Sequence, residues 1–256
     1  MEDETEGAVV LERRAAKGPF VFVCEHAVNA FPARWGDLGL TASQRHAHVA
    51  WDPGALGLAR ALSVQLESPL VRATTSRLIY DLNRPPQSAS AMPARSELHD
   101  IPGNTDLSAK ERLDRTQALY LPFHAELRML LAEKLALGQR PILVTVHSFT
   151  PVYYGRPRDV ELGIIHDADP ALACAVLEEA RAQTRLDSRL NEPYSAADEV
   201  THTLALQATP LGLMNVMLEL RNDLLPDAAA QKAMASLLAP VLQAALARIQ
   251  KPLEVV

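Results

Sequence analysis

Short apolar runs alternate with longer stretches of helical periodicity along most of the chain. Compact runs of the length typical of buried strands cover residues 20–24, 69–73, 142–146, 160–166 and 212–220. Helical spacing of apolar positions covers residues 55–66, 105–138, 170–184 and 227–249. This alternation predicts an α/β fold with a central mixed, largely parallel sheet flanked by helices. We expect a flexible terminus over residues 1–18, with at most one short strand, and a single domain over residues 19–256.

The strand-like run over residues 142–146 ends abruptly in polar residues at His147 and Ser148. In open α/β sheets, ligands bind at the carboxyl ends of the strands. A histidine at such an end therefore favours a general base or a metal ligand. The alternative is a hydrogen-bonded histidine of the core.

Three further strand-like runs end in polar residues in the same way. These residues are Glu25 and His26, then Asp81, Asn83 and Arg84, and finally Glu219 and Arg221. Burying charge without a partner is costly, so each group is either a site or an internally satisfied cluster. Glu25 would otherwise cap a turn, with His26 exposed. Asp81 would otherwise form an internal ion pair with Arg77 or Arg84.

Two other residues leave alternatives open. Asp52 precedes Pro53 and a helical stretch, which is the arrangement of an N-cap with proline at the first helical position. A capping role and a site role are both open for Asp52. Cys24 is a conceivable nucleophile, but its place inside an apolar run favours a buried structural cysteine.

If the polar strand ends converge, they assemble histidines, carboxylates and arginines at one edge of the sheet. Zinc typically takes three histidine or carboxylate ligands and keeps one position open for water. A further carboxylate accepts the proton of that water, and an arginine binds an anionic group or the developing oxyanion. We therefore predict a hydrolytic site for zinc or another divalent metal. The G-x-S-x-G, Walker-type and HExxH patterns are absent from the sequence.

The composition narrows the class of protein further. The 256 residues carry a net charge of −6 without a basic stripe, which argues against nucleic acid as a partner. Cys24 and Cys174 form no CxxC pattern, so we expect reduced cysteines. The amino terminus lacks the features of a secretory signal, and no run reaches the roughly 18 apolar residues of a membrane helix. A cytoplasmic protein without membrane contact is the expectation.

Six segments of the chain together resemble a known family. They are VFVCEHAVNAFP at 21–32, HVAWDPGA at 48–55, SRLIYDLNRP at 76–85, VTVHSFTPV at 144–152, NEPYS at 191–195 and LELRNDL at 218–224. In this order, they resemble the N-formylglutamate amidohydrolase family, which is related to zinc carboxypeptidases and acyl-amino-acid deacylases. The resemblance implies a fold like that of the zinc exopeptidases, also called phosphorylase/hydrolase-like.

The resemblance also implies a ligand set for the metal. His26 and His147 are the expected histidine ligands. The carboxypeptidase pattern has a glutamate three residues after the first histidine, where this chain has Asn29. We expect Glu25 as the third ligand, with Asn29 and Asp52 as the alternatives.

Catalytic and substrate-binding roles follow from the same resemblance. Glu219 is expected to activate the water, and Arg77 to stabilise the oxyanion or to contact a second anion. The expected substrate-binding residues are Asn83, Arg84, Arg221 and Tyr194.

The resemblance implies a metal-dependent amidohydrolase of amino-acid catabolism, as in histidine degradation. Its expected substrate is a small anionic N-acyl amino acid, first of all N-formyl-L-glutamate, which would yield formate and L-glutamate. A related deacylase, a small-peptide hydrolase and a non-catalytic binding protein with a decayed metal site are the alternatives. The long loop over residues 87–103 is a candidate lid. The pattern specifies no oligomeric state.

Overall fold

Eleven strands and seven α-helices form the part of the chain that the computed structural model describes, residues 7–250. The strands are β1 (Val9–Glu12), β2 (Phe20–Cys24), β3 (Leu70–Ala73), β4 (Arg95–Ser96), β5 (His99–Asp100), β6 (Ile142–Phe149), β7 (Val152–Tyr153), β8 (Arg156–Pro157), β9 (Leu162–Ile165), β10 (Ser188–Leu190) and β11 (Asn215–Arg221). The helices are α1 (Ala42–His46), α2 (Ala55–Gln65), α3 (Ala109–Arg115), α4 (Leu121–Ala136), α5 (Ala171–Gln183), α6 (His202–Gln207) and α7 (Ala228–Gln250).

Seven of the strands form one sheet in the order β1-β3-β2-β6-β11-β9-β10. The strands β3, β2, β6 and β11 run parallel to one another. At the sides, β1 is antiparallel to β3, β9 is antiparallel to β11, and β10 follows the direction of β9. The structure confirms the predicted mixed, largely parallel sheet flanked by helices. The carboxyl ends of the four parallel strands consequently share one edge of the sheet.

Both faces of the sheet are covered, and this explains why its strands are continuous apolar runs. Successive residues of a strand point to opposite faces. Phe20 and Phe22 therefore pack into the core that contains α2, α5 and α7, whereas Val21 and Val23 pack on the side of α4 and α6.

Helix α7 packs against both α2 and α5. Its buried face includes Leu238 and Leu242. By length and composition α7 would also suit a membrane span, and 44% of its apolar window is buried inside the fold. No other helix within residues 7–250 meets that criterion.

The amino-terminal segment contains the one short strand that the sequence allows. Val9–Glu12 forms β1, at the edge of the main sheet. Glu12 holds this edge through ion pairs with Arg60 and Arg72, both at 2.7 Å. The first six residues lie outside the described part of the chain.

The apolar residues 78–80 do not form the strand that the sequence suggests. They lie in the loop after β3, where the amides of Ile79 and Arg84 donate to the carbonyls of Ser76 and Asp81 and make turns. All three residues are nevertheless buried. A short buried apolar run has the same pattern in a loop as in a strand, which explains the error.

The long segment over residues 87–103 contains a small hairpin, formed by β4 and β5. Glu97 at its tip contacts Nε2 of His48 at 2.7 Å and accepts a hydrogen bond from the amide of Tyr154, on the β7–β8 hairpin. The two hairpins thus meet through one carboxylate. The role of this segment as a lid stays a prediction.

Candidate active site

The polar ends of three strands meet at one edge of the sheet. Glu25 and His26 directly follow β2, where the chain leaves the core. His147 lies near the end of β6, and Glu219 on β11 is its register partner. Parallel strand direction therefore brings together side chains that are up to about 190 positions apart in the sequence.

Two histidines and one aspartate form the centre of this cluster. Nδ1 of His147 lies 3.1 Å from Nδ1 of His26 and 2.9 Å from Oδ2 of Asp52. Nδ1 of His26 lies 3.2 Å from the same oxygen of Asp52. The three side chains are buried, and their candidate ligand atoms lie within 4.8 Å of one another. One metal ion would fit among them.

The outer nitrogen of each imidazole faces a second carboxylate. Nε2 of His26 lies 2.7 Å from Oδ1 of Asp81, and Nε2 of His147 lies 3.2 Å from Oε2 of Glu25. Protons on the two Nε2 atoms would face these anions, so that both Nδ1 atoms present lone pairs to each other and to Asp52. Such a set of acceptors repels itself unless a cation lies among them. For His26, this is the form of a metal-ligating histidine that an outer carboxylate orients through a hydrogen bond. Glu25 contacts Nε2 of His147 as an ion pair, without hydrogen-bond geometry.

The buried charges set the protonation of this cluster. Burial disfavours charge on His147, but Glu25 and Asp52 raise the pKa of its imidazole well above the ordinary value. Burial also opposes ionisation of Asp52, but His26 and His147 hold the pKa of its carboxyl below the ordinary value. The cluster therefore favours a positive charge at its centre, either a proton or a metal cation.

The backbone around Gly54 turns Asp52 into the site. The amide of Asp52 donates to the carbonyl of His26 at 3.0 Å, and the amide of Ser148 donates to Oδ2 of Asp52 at 3.3 Å. Gly54 precedes α2 with a φ of 82°, a left-handed conformation that glycine adopts without steric cost. The side chain of Asp52 makes no cap of α2. Of the two roles that the sequence leaves open, the geometry supports the site role.

Arg77 bridges two of the carboxylates. Its Nη1 donates to Oδ1 of Asp52 at 3.2 Å, and its Nε donates to Oδ2 of Asp81 at 3.1 Å. The internal ion pair between Asp81 and Arg77 is therefore formed. The Arg77 side chain remains 25% exposed and lines a cavity beside the cluster. Part of the N–H edge of its guanidinium is therefore accessible to a ligand.

Glu219 lies beside the cluster, almost completely buried. Its Oε2 has no hydrogen-bond partner among residues 7–250. Burial, reinforced by the charge of Asp52, raises the pKa of Glu219 to about 7. A carboxyl with this pKa both accepts and releases a proton near neutral pH.

Gly163 on β9 leaves the space that Glu219 occupies. The two residues are register partners across the antiparallel pair of β9 and β11. A Cβ atom at Gly163 would lie 3.1 Å from Cβ of Glu219 and 2.1 Å from the carbonyl oxygen of Glu192. The loop that carries Tyr194 therefore approaches β9 closely because position 163 has no side chain.

A cavity of about 620 Å³ opens onto these groups. Besides the central cluster, its lining includes Arg84, Arg158, Tyr153 and Tyr194. The volume is that of a pocket for a small ligand, and the lining is polar and positively charged in part.

Comparison with known proteins identifies the family. A family model described as N-formylglutamate amidohydrolase matches residues 18–225. The chain belongs to the N-formylglutamate amidohydrolase family. It is therefore an amidohydrolase, as the sequence resemblance implies. A comparison with curated proteins gives no match.

Two solved structures are similar to this amidohydrolase. The gene product Atu2144 from Agrobacterium tumefaciens is 49% identical, with a TM-score of 0.95 over 98% of this chain and 99% of that one. The N-formylglutamate amidohydrolase from Ralstonia eutropha JMP134 is 18% identical, with a TM-score of 0.65 over 94% of this chain and 99% of that one. The second likeness concerns the fold alone.

The three residues predicted as alternatives for the third metal ligand have different positions in the structure. Glu25 contacts the outer nitrogen of His147, so it does not belong to the three-residue group around Asp52. Asn29 is not part of this group either. Its side-chain amide donates to the carbonyl of Arg45 at 3.0 Å. Of the three alternatives for the third ligand, Asp52 has the fitting position.

The predicted substrate-binding residues also separate into two kinds. Arg84 and Tyr194 line the cavity of the amidohydrolase. Asn83 borders it, but its amide is occupied by the backbone, donating to the carbonyl of Val200 and accepting from the amide of Thr203. Asn83 therefore holds the segment before α6 in place.

Arg221 lies outside the cavity. Its guanidinium pairs with Asp223 at 2.9 Å and donates to the carbonyls of Arg158 and Asp159 at 3.1 and 2.9 Å. Arg221 is the last residue of β11, so its side chain extends past the sheet edge to the neighbouring loop. The expectation that Arg221 binds substrate does not fit this geometry.

Two residues of the site have no role in the sequence-based prediction: Asp81, which is expected only as a polar strand end or an ion-pair partner, and Arg158. The contact of Asp81 with His26 depends on a loop that folds back, and no local pattern reveals it. Arg158 lies in the cavity wall. A signal for it does exist, because Tyr153, Tyr154 and Arg158 all follow the carboxyl end of the central strand.

Proposed function

We propose that this amidohydrolase hydrolyses N-formyl-L-glutamate to formate and L-glutamate with the help of a divalent metal, zinc first. The proposed metal dependence is supported by the cluster in which Nδ1 of His26, Nδ1 of His147 and Oδ2 of Asp52 face one another. Two imidazoles and a carboxylate are the donor set of a hydrolytic zinc site, which keeps a further position open for water. The proposed N-acyl amino acid substrate is supported by membership in the family.

A bound divalent metal would polarise the scissile carbonyl and lower the pKa of the attacking water. Glu219 accepts the proton of that water and delivers it to the leaving amine nitrogen, as the C–N bond breaks and the new C–O bond forms. Its pKa of about 7 matches both halves of this transfer. Asp81, hydrogen-bonded to Nε2 of His26, keeps that imidazole in the tautomer that presents Nδ1 inward, and the charge of Glu25 favours a proton on Nε2 of His147.

Arginines of the cavity bind the anionic part of the substrate. Arg84 donates through Nη1 to the carbonyls of Asn83 and Glu199 at 3.0 and 2.8 Å, which fixes its guanidinium at the wall. Its other N–H groups have no partner among residues 7–250 and are free for a substrate carboxylate. Arg77 faces the developing oxyanion with the edge that is not paired to Asp52 and Asp81.

The decisive experiment measures formate release from N-formyl-L-glutamate by the purified protein. It is run on the protein as isolated, after exhaustive chelation and after zinc is restored, with metal content determined at each stage. We expect activity that disappears with the metal and returns with it. Full activity in protein shown to be free of metal would overturn the metal dependence. Bound zinc without formate release would overturn the substrate and direct the assay to other N-acyl amino acids.

A further inference from the structure

Arg158 occupies an aromatic clamp in the cavity wall. The carbon Cζ of its guanidinium lies 4.2 Å from the ring centre of Tyr153, 4.9 Å from that of Tyr194 and 5.6 Å from that of Phe149. Its Nη1 donates to the hydroxyl of Tyr194 at 2.9 Å. Cation–π contacts of this kind hold a guanidinium by its faces and leave most of its N–H edge free.

The backbone at Arg158 is fixed independently of the aromatic rings. Its amide donates to the carbonyl of Pro151 at 2.8 Å, and its carbonyl accepts from Nη1 of Arg221 at 3.1 Å. Arg221 is itself paired with Asp223. The guanidinium of Arg158 is therefore positioned before any ligand arrives, which lowers the entropic cost of binding one.

The charge of Arg158 has no carboxylate partner among residues 7–250. Arg77, by contrast, is paired with both Asp52 and Asp81. Three other carboxylates line the cavity, and none of them forms an ion pair with Arg158. Glu97 contacts His48, Asp198 accepts from the amide of Ser195, and Glu219 lies beside the histidine cluster. The charge of Arg158 is therefore available to an anionic group of a ligand.

We propose that Arg158 binds the side-chain carboxylate of the substrate and thereby sets the preference of the enzyme for acidic over neutral N-acyl amino acids. This inference rests on the proposed function, in which Arg84 takes the other carboxylate. A guanidinium held by its faces presents two parallel N–H groups, the geometry that a carboxylate accepts in bidentate form. The hydroxyl of Tyr194 keeps its own proton for the same anion.

The test compares N-formyl-L-glutamate with its neutral isostere N-formyl-L-glutamine. For Arg158→Gln we expect kcat/KM on the glutamate substrate to fall by about 100-fold, mainly through KM, with little change on the glutamine substrate. Arg158→Lys keeps the charge without the planar fork and should recover part of the preference. The matched control is Arg156→Gln, an exposed arginine on the same hairpin, which should leave both values unchanged.

Binding of the products is measured in parallel, by calorimetry with L-glutamate and L-glutamine, so that the inference is tested even without turnover. An unchanged preference in Arg158→Gln, or an equal loss on both substrates, would overturn the role of Arg158. No formate release by the native protein, together with Arg158-dependent preference for L-glutamate, would overturn the proposed reaction and retain the anion site. Absence of both effects would overturn both proposals.

Discussion

Glu219 and His147 are register partners on the neighbouring parallel strands β11 and β6. Paired residues of adjacent strands point to the same face of a sheet, so the carboxyl group of Glu219 is directed to the histidine cluster by the ladder itself. The strands are buried and rigid elements of the core, which suits groups that need accurate positions.

Replacing Glu219 by glutamine should abolish most turnover. The amide cannot accept the proton of water, and loss of a general base costs about 10²- to 10⁴-fold in kcat. The fold should remain intact, because burial already penalises the charged form of this group and the neutral amide avoids that penalty. Formate release is the measurement, with the thermal midpoint and metal content as controls. Near-normal turnover would exclude Glu219 as the base.

Replacing Asp52 and Glu25 separately should distinguish a ligand from an orienting group. Asp52→Asn removes the anionic oxygen of the proposed third ligand and should leave the purified protein without stoichiometric metal. Glu25→Gln removes only the anion behind His147 and should weaken metal affinity by about 10- to 100-fold. Affinity is measured by competition with a chromophoric chelator.

The matched control for this pair is Asn29→Ala. Its side chain contacts only a backbone carbonyl in the described structure, so metal affinity should be unchanged. If Glu25→Gln loses the metal completely while Asp52→Asn retains it, the ligand set that we infer is wrong and Glu25 is the third ligand.

Replacing Gly163 by alanine should displace both the loop at Glu192 and the proposed general base Glu219. The added methyl would meet the carbonyl oxygen of Glu192 at 2.1 Å and Cβ of Glu219 at 3.1 Å, and neither backbone nor Cβ yields easily. We expect a loss of stability of about 1–3 kcal/mol, together with reduced kcat/KM. Urea denaturation and formate release measure the two effects. Gly7→Ala, which meets nothing closer than 3.8 Å, is the control and should change neither.

His124 should make the free energy of unfolding depend on pH in the acidic range. Burial lowers the pKa of its imidazole to about 4, while Nε2 donates to the carbonyl of Leu82 at 2.9 Å. Between roughly pH 6.5 and 4 the unfolded chain therefore binds a proton that the folded protein does not. The contribution of His124 is complete above about pH 6.5 and decreases as the pH falls toward 4.

Urea denaturation at pH 7.5 and pH 5.0 measures this dependence. The native protein should lose about 2 kcal/mol more than His124→Gln between the two values. His46→Gln, at an exposed histidine, is the control and should keep the native dependence. An identical pH dependence in His124→Gln and the native protein would contradict the prediction.

The pattern of apolar and polar residues is sufficient to predict the sheet and the edge at which the site lies. Strands buried on both faces are largely apolar, so β2, β6 and β11 are recognisable as runs, and the polar residues at their ends indicate Glu25, His147 and Glu219. The roles of the surrounding side chains depend on tertiary contacts that no local pattern contains. Asp52 and Asp81 reach the two histidines through loops whose turns bring distant segments together, and the same local pattern fits a helix cap or a surface ion pair. Contacts rather than pattern likewise distinguish Arg221 from Arg158. The guanidinium of Arg221 is paired with Asp223, whereas that of Arg158 lies against aromatic rings and has no carboxylate partner among residues 7–250.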